Sequence, residues 1–363
     1  MSRAAGPDPA AFAELLCDYC LEVTPGQQVV LRSSALAAPL LLELQRVVLE
    51  RDAWPLLRIE LPGQHEAYWA AARESHLDAF PAMELAEARG TDASIAIQAP
   101  DNARALAGVD PARLARAARA RSEVREASLR RRWNLTLWPT PALAQQAGMG
   151  TGDYAAFVAR ALFLDQPDPV AAWRELSAFQ AELVDELGRA RNLRIEAEGT
   201  DLTLDVTGRT WINSDGRRNM PSGEVFTGPH ETSAQGRVAF SIPTSPGGVE
   251  VTGVELEFRD GRVVGSRAER GEAYLHEMLA TDEGAGRLGE IGIGSNFGID
   301  RPTGTILLDE KLGGTVHLAL GRSYPETGGT NLSAIHWDLI CDLRPGGRLT
   351  ADGVVIQENG RFR

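Results

Sequence analysis

The sequence contains one lysine, Lys311, and every other fixed positive charge is arginine. Positive charge is scarce overall: 37 Lys and Arg face 50 Asp and Glu, a net charge of −13. Recognition of a phosphate backbone needs a basic face, so nucleic acid is not an expected partner. The Arg-rich stretch from Arg113 to Arg132 does not reverse this, because Glu123 and Glu126 interrupt it and it reads as a solvated helix face. No run approaches the roughly 20 apolar residues that a membrane span requires. The opening Met1-Ser2-Arg3-Ala4-Ala5-Gly6-Pro7-Asp8 has no apolar signal core. Three cysteines cannot build a disulfide framework, so a reducing cytoplasm is the expected setting. Cys17-Asp18-Tyr19-Cys20 has redox-motif spacing but falls inside a helical pattern, and it is read as packing.

A chain of 363 residues has enough length for two domains with a core in each. The first half alternates. Phe12 to Val23 is helical in pattern, Thr24-Pro25-Gly26 stops it, and Gln28-Val29-Val30-Leu31 follows as a strand. Leu40 to Arg51 is a second helix before the strand Leu56-Leu57-Arg58-Ile59. Further strands are expected at Ala93 to Ile97 and Asn134 to Trp138. Strand, helix and strand in that order predict a parallel α/β unit. No Gly-rich phosphate loop follows these strands, which argues against a nucleotide binder. A long Ala-rich amphipathic stretch from Tyr154 to Arg191, broken near Pro167 and Pro169, closes this domain. Glycines and short alternating strands then dominate, with a helix around Glu272 to Ala280. The predicted fold is therefore α/β: an N-terminal α/β domain with parallel strands over 1–191, and a C-terminal mixed, β-rich α+β domain over 192–363.

The chemistry is concentrated in the second domain, where apolar runs are broken by lone acids and imidazoles. These are Glu224 in Gly223-Glu224-Val225-Phe226, Glu290 in Leu288-Gly289-Glu290-Ile291, His317 in Val316-His317-Leu318, and His336 and Asp338 in His336-Trp337-Asp338. A charge on a half-buried strand is costly unless something neutralises it. Glu, His and Asp gathered in such places suit a divalent cation. The period of two puts His336 and Asp338 on one face of a strand, with Trp337 on the other. Glu290 shares its face with Gly292 and Gly294, which leaves room beside the carboxylate. Asp309-Glu310-Lys311 precedes the turn Gly313-Gly314 and delivers acids towards the His317 strand. Each residue has a plainer reading. A lone strand histidine is commonly a hydrogen-bonded core residue, Glu224 could guard a sheet edge, Glu310 could pair with Lys311, and Tyr324 could be a packing aromatic. His65, His76, His230 and His276 lack this setting and read as surface or structural residues.

Taken in order, Asn219 to Thr227, Leu288-Gly289-Glu290, His317 to Gly321 with Tyr324, and His336-Trp337-Asp338 resemble the M29 family of metallo-aminopeptidases, including its aminopeptidase T group. Trp138-Pro139-Thr140-Pro141 extends the likeness into the N-terminal half, so that it covers most of the chain. The resemblance implies a C-terminal catalytic domain carrying two divalent metal ions, Zn, Co or Mn. It places metal ligands at Glu224, Glu290, Glu310, His317, His336 and Asp338, with Glu290 as a bridge and Tyr324 as a catalytic tyrosine. It further implies a homodimer acting on short peptides, with metal-activated water as the nucleophile and Glu224 or Glu290 moving the proton to the leaving amine. Two rivals are open at this stage. His317, His336 and Asp338 also form the ligand set of a mononuclear iron(II) oxygenase, and relatives of the family include ring-cleaving pyridinediol dioxygenases. In those a histidine stands where this chain has Glu290, so the carboxylate favours hydrolysis. The other rival is a non-catalytic peptide-binding relative.

Overall fold

Val29, Val30 and Leu31 become the buried centre of a parallel sheet. The computed structural model describes residues 6–245 and 248–363, and Met1 to Ala5 of the opening stretch lie outside them. The chain forms two units, Met1–Ala172 with Gly216–Pro221, and Trp173–Asp215 with Ser222–Arg363. In the first, the strands lie in the order Trp54–Glu60, Gln28–Ser34, Ala93–Gln98, Arg132–Leu137 and Asn219–Met220, all parallel. Four of them are the strands that the sequence pattern predicts. The fifth, two residues long, is contributed from far along the chain.

The helix Ala38–Glu50 buries Leu40, Leu41, Leu44, Val47 and Val48, the stripe that helical periodicity demands. The expected helix from Phe12 differs in geometry: Pro9–Glu14 is α-helical and Leu15–Cys20 is a π-helical turn, closed by Leu21 N donating to Leu16 O at 3.0 Å. This widened turn brings Leu15, Leu16, Cys17, Tyr19 and Cys20 into the core. Burial pushes the Cys17 thiol up to about 12, which keeps it from being a reactive thiolate. The Arg-rich segment forms two helices, Pro111–Ala120 and Ser122–Leu129. Arg116 pairs with Asp78, and Glu123 accepts from Arg89 at 2.5 Å, both in solvent.

The second unit is built from two antiparallel sheets. One has eight strands in the order Arg262–Arg267, Val254–Arg259, Gln235–Phe240, Thr200–Asp205, Asn192–Ala197, Arg348–Ala351, Val354–Glu358 and Arg361–Phe362. The other has five, in the order His336–Asp342, Thr315–Gly321, Leu288–Gly294, Glu224–Thr227 and Ile212–Ser214. Leu193, Ile195, Leu202 and Phe240 of the larger sheet share one core with Val225, Ile291, Ile293, Val316, Leu318, Leu339 and Trp337 of the smaller. Among the described residues no helix is long and apolar enough to cross a membrane.

One face of the helix Pro169–Leu187 supports the smaller sheet. Gln180 is fully buried, and its Nε2 donates to the backbone carbonyls of Glu224 and, at 3.3 Å, Ser214. The side chain thus ties the backbone under Glu224 to the helix. Replacing Gln180 with Leu keeps the volume but removes this donor, and is expected to cost about 1–3 kcal/mol, read as a lower urea midpoint in equilibrium unfolding. An unchanged midpoint would show that the tie carries no stability.

Candidate metal centre

Strand register gathers the polar residues. Across the five-stranded sheet Glu224 pairs with Gly294, and Phe226 with Gly292. Gly292 in turn pairs with His317, and Glu290 with Ala319. Ala319 pairs with Asp338, and Gly321 with His336. Side chains alternate across a strand, so directly opposed residues and those two apart share a face. Glu224, Glu290, His317, His336 and Asp338 therefore emerge on one face from four adjacent strands, while Val225, Ile291, Leu318 and Trp337 enter the core on the other. Glycine is needed at 292, because a Cβ there would fall inside the His317 ring. The space expected beside Glu290 is thus filled by an imidazole from the next strand.

His317 Nε2 lies 3.2 Å from Glu290 Oε1 and 3.5 Å from Glu224 Oε2. One ligand atom from each of these three buried residues falls within 4.8 Å of the others, a spacing that can hold one cation. His336 Nε2 is 3.5 Å from both Glu290 Oε2 and Asp338 Oδ1. Its Nδ1 is 2.8 Å from the Arg322 carbonyl. A carbonyl can only accept, so Nδ1 carries a proton and Nε2 faces the site, where the ring in its neutral form would present a lone pair to a cation. Three buried oxygens facing this cluster have no hydrogen-bond partner, Glu224 Oε2, Glu290 Oε2 and Asp338 Oδ1, and the second ring nitrogen of His317, Nδ1, is also unpartnered. Buried oxygens are rarely left in that condition, and three carboxylate oxygens with imidazole nitrogens beside them are a donor set that fits a divalent cation.

The electrostatics reflect crowding of like charge. Burial, reinforced by the charge on Asp338, raises the Glu290 carboxyl above the usual range despite its bond to His317. Burial disfavours protonation of His317, but the Glu290 bond and the charges of Glu224, Glu290 and Asp338 outweigh it and hold the imidazole above its ordinary value. His336 is likewise disfavoured by burial, then carried to about 9 by Asp338 and Glu290. Burial would raise Asp338, but its pairing with His336 leaves it below the usual carboxylate range.

Tyr324 follows the His317 strand, with its ring edge-on to His336 at 5.1 Å between centroids and 42% of its surface exposed. Partial burial and the nearby charges of Glu290, Asp338 and Glu224 push its phenol well above the ordinary range, so it stays protonated. Glu310, also expected as a ligand, has its carboxylate bonded to Lys311 Nζ and is outside the group of three that can share one cation. Lys311 itself is fully buried and reaches Glu224 Oε1 at 3.0 Å. Sequence reasoning noted Lys311 as the solitary lysine and as a possible partner of Glu310. Asp309 and Glu310 directly precede it, a run of charge that gives no signal of burial. A cavity of about 210 Å³ opens beside His336 and Asp338, walled by Ile242, Pro243, Ile306 and Ile340.

The sequence matches the family described as "Thermophilic metalloprotease (M29)" over residues 8–362. It is 33% identical to aminopeptidase 2 of Geobacillus stearothermophilus, covering 94% of each chain. It is 32% identical to aminopeptidase T of Thermus aquaticus, over 71% of this chain and 70% of that one. The structure is similar to that of AmpT from Thermus thermophilus, with a TM-score of 0.85 at 26% identity and 98% of each chain covered. A 2,5-dihydroxypyridine dioxygenase from Pseudomonas putida KT2440 has a related fold, with a TM-score of 0.59 at 15% identity over 98% of this chain and 96% of that one.

In protein stripped of metal, the raised value at His336 has a defined consequence. The stabilisation from its protonated form is fully present below the ordinary imidazole value near 6.5 and is lost as pH rises through about 9. Unfolding midpoints of chelator-treated protein are expected to fall across that window, and His336→Gln is expected to flatten the fall. A wild-type midpoint independent of pH there would contradict the assigned pairing.

Proposed function

Because this chain belongs to the M29 metallopeptidase family, we propose that it is a metal-dependent aminopeptidase that removes N-terminal residues from short peptides. The observation that carries the reading is the single sheet face on which Glu224, Glu290, His317, His336 and Asp338 converge with four buried polar atoms unsatisfied. These five residues would hold two divalent ions, Zn, Co or Mn. When bound, the ions supply Lewis acidity and lower the pKa of water towards about 7.

The protein's own groups divide the remaining tasks. Glu290 has a carboxyl held above the usual range by burial and by the charge on Asp338, and an unpartnered Oε2. In this proposal Glu290, rather than Glu224, whose Oε1 is held by Lys311, takes a proton from the attacking water and delivers it to the leaving amine. Tyr324 keeps its phenolic proton and can donate a hydrogen bond to the oxyanion as it forms, a contribution of roughly 3–4 kcal/mol in comparable sites. Ile242, Pro243, Ile306 and Ile340 give the cavity beside His336 and Asp338 an apolar wall against which a substrate side chain would lie. The catalytic domain in this reading is 192–363. A homodimer and a cytoplasmic setting belong to the same proposal. Glu290 occupies the position at which the oxygenase alternative calls for histidine, so the donor set favours hydrolysis over ring cleavage.

The test is release of leucine from Leu-containing dipeptides by chelator-stripped protein, before and after addition of Zn, Co or Mn. Activity should return with metal and disappear when the substrate amine is acetylated. Glu290→Gln should lower turnover by about a hundredfold or more, with circular dichroism unchanged. No activity with any metal, or wild-type turnover in metal-loaded Glu290→Gln, would overturn the reading.

A further inference from the structure

We infer that Lys311 is a positioning residue that fixes one oxygen of Glu224 and so leaves only the other to meet a cation; this rests on the metal-centre reading above. A lysine with no exposed surface is uncommon, because burying an ammonium is costly unless it is paired and hydrogen-bonded. Lys311 Nζ has two carboxylate partners, Glu224 Oε1 at 3.0 Å and Glu310 Oε1. The two oxygens of Glu224 are thereby made different. Oε1 is held by the ammonium, while Oε2, 3.5 Å from His317 Nε2, has no hydrogen-bond partner and faces the cluster.

The backbone around Lys311 is held closely enough to make this positioning rigid. Asn296 N donates to the Lys311 carbonyl at 3.1 Å, and the Asn296 side chain donates to Ser222 O at 2.8 Å. Ser295 N donates to Gly223 O at 2.8 Å. These bonds join the turn that carries Lys311 to the two residues preceding Glu224. On the other side, Asp309 accepts from Thr303 N at 2.7 Å, Thr303 Oγ1 at 2.8 Å and Gly304 N at 2.7 Å, which pins the short helix Ile306–Asp309.

The choice of side chain is informative as well. The chain uses arginine at every other site of fixed positive charge. The planar five-donor guanidinium demands a wide, fork-shaped partner, whereas an ammonium is compact and offers three rotatable donors. Two single oxygens from different carboxylates around a buried Nζ suit the compact group better than the fork. Glu310 then serves as the outer partner that balances the Lys311 charge and holds its Nζ in place.

The experiment is Co(II) titration of wild type, Lys311→Met, Lys311→Arg and Glu310→Gln, with metal affinity by chelator competition and the visible Co(II) absorption spectrum as readouts. Wild type should bind Co(II). Lys311→Met should bind it about 10- to 100-fold more weakly, the usual effect of removing a residue that orients a ligand. Its spectrum should also change, because Glu224 becomes free to use both oxygens. Lys311→Arg should not restore the wild-type spectrum. Glu310→Gln removes the charge of the second carboxylate partner while leaving Lys311 in place, and guards against misfolding of the lysine variants; it should keep the full number of bound ions while shifting the spectrum. Wild-type affinity and spectrum in folded Lys311→Met or in Glu310→Gln would overturn the inference alone. Loss of a bound ion in Glu310→Gln would also overturn it, by making Glu310 a direct ligand. Failure of the wild type to bind Co(II) would overturn the metal-centre reading and this inference together.

Discussion

Everything at the candidate centre depends on the parity of an antiparallel sheet. Once Gly292 lies opposite both His317 and Phe226, the face of every neighbouring residue is decided by counting in twos. A one-residue slip of the Thr315–Gly321 strand would turn His317 into the core and bring Val316 and Leu318 out to the polar face. The core opposes such a slip, because Ile291, Ile293, Val316, Leu318 and Leu339 are buried together on the reverse side. Hydrophobic packing on one face is therefore what fixes the chemistry on the other. The small residues Gly292, Gly294, Ala319 and Gly321 on the polar face give the acids and imidazoles their space.

That arrangement creates an electrostatic problem. Glu224, Glu290 and Asp338 are brought together with little solvent access, and in a poorly polarisable setting like charges repel strongly. The protein meets the problem in two ways. Lys311 neutralises one oxygen of Glu224, and the imidazoles of His317 and His336 are held above their ordinary values by the carboxylates around them. The remaining unsatisfied oxygens mark the balance left for cations. A site that is complete without metal would have closed those positions with side-chain or backbone donors, as Thr303 and Gly304 do for Asp309.

The legible part of the fold was the part encoded locally. Four parallel strands, the helix Ala38–Glu50 and the helix Glu272–Leu279 follow from periodicity within a single window of sequence. The fifth parallel strand, Asn219–Met220, was not, since two residues have no period and their partner lies more than eighty positions earlier. The pairing of Arg348–Ala351 with Asn192–Ala197 is hidden for the same reason. At the site, His336-Trp337-Asp338 announced a shared face through its spacing, and Gly292 announced an opening. That the opening is filled by His317 depends on cross-strand register, which no single segment carries. Glu310 and Lys311 are adjacent in sequence, and only the three-dimensional turn shows the lysine reaching past Glu310 to Glu224.

The most direct test of the central claim is anomalous X-ray scattering from crystals of the Zn-loaded protein, measured on either side of the zinc absorption edge. The account predicts density for metal bounded by Glu224, Glu290, His317, His336 and Asp338, on the polar face of the five-stranded sheet and out of contact with Lys311. Zinc bound elsewhere, with that face left empty in catalytically active crystals, would contradict it.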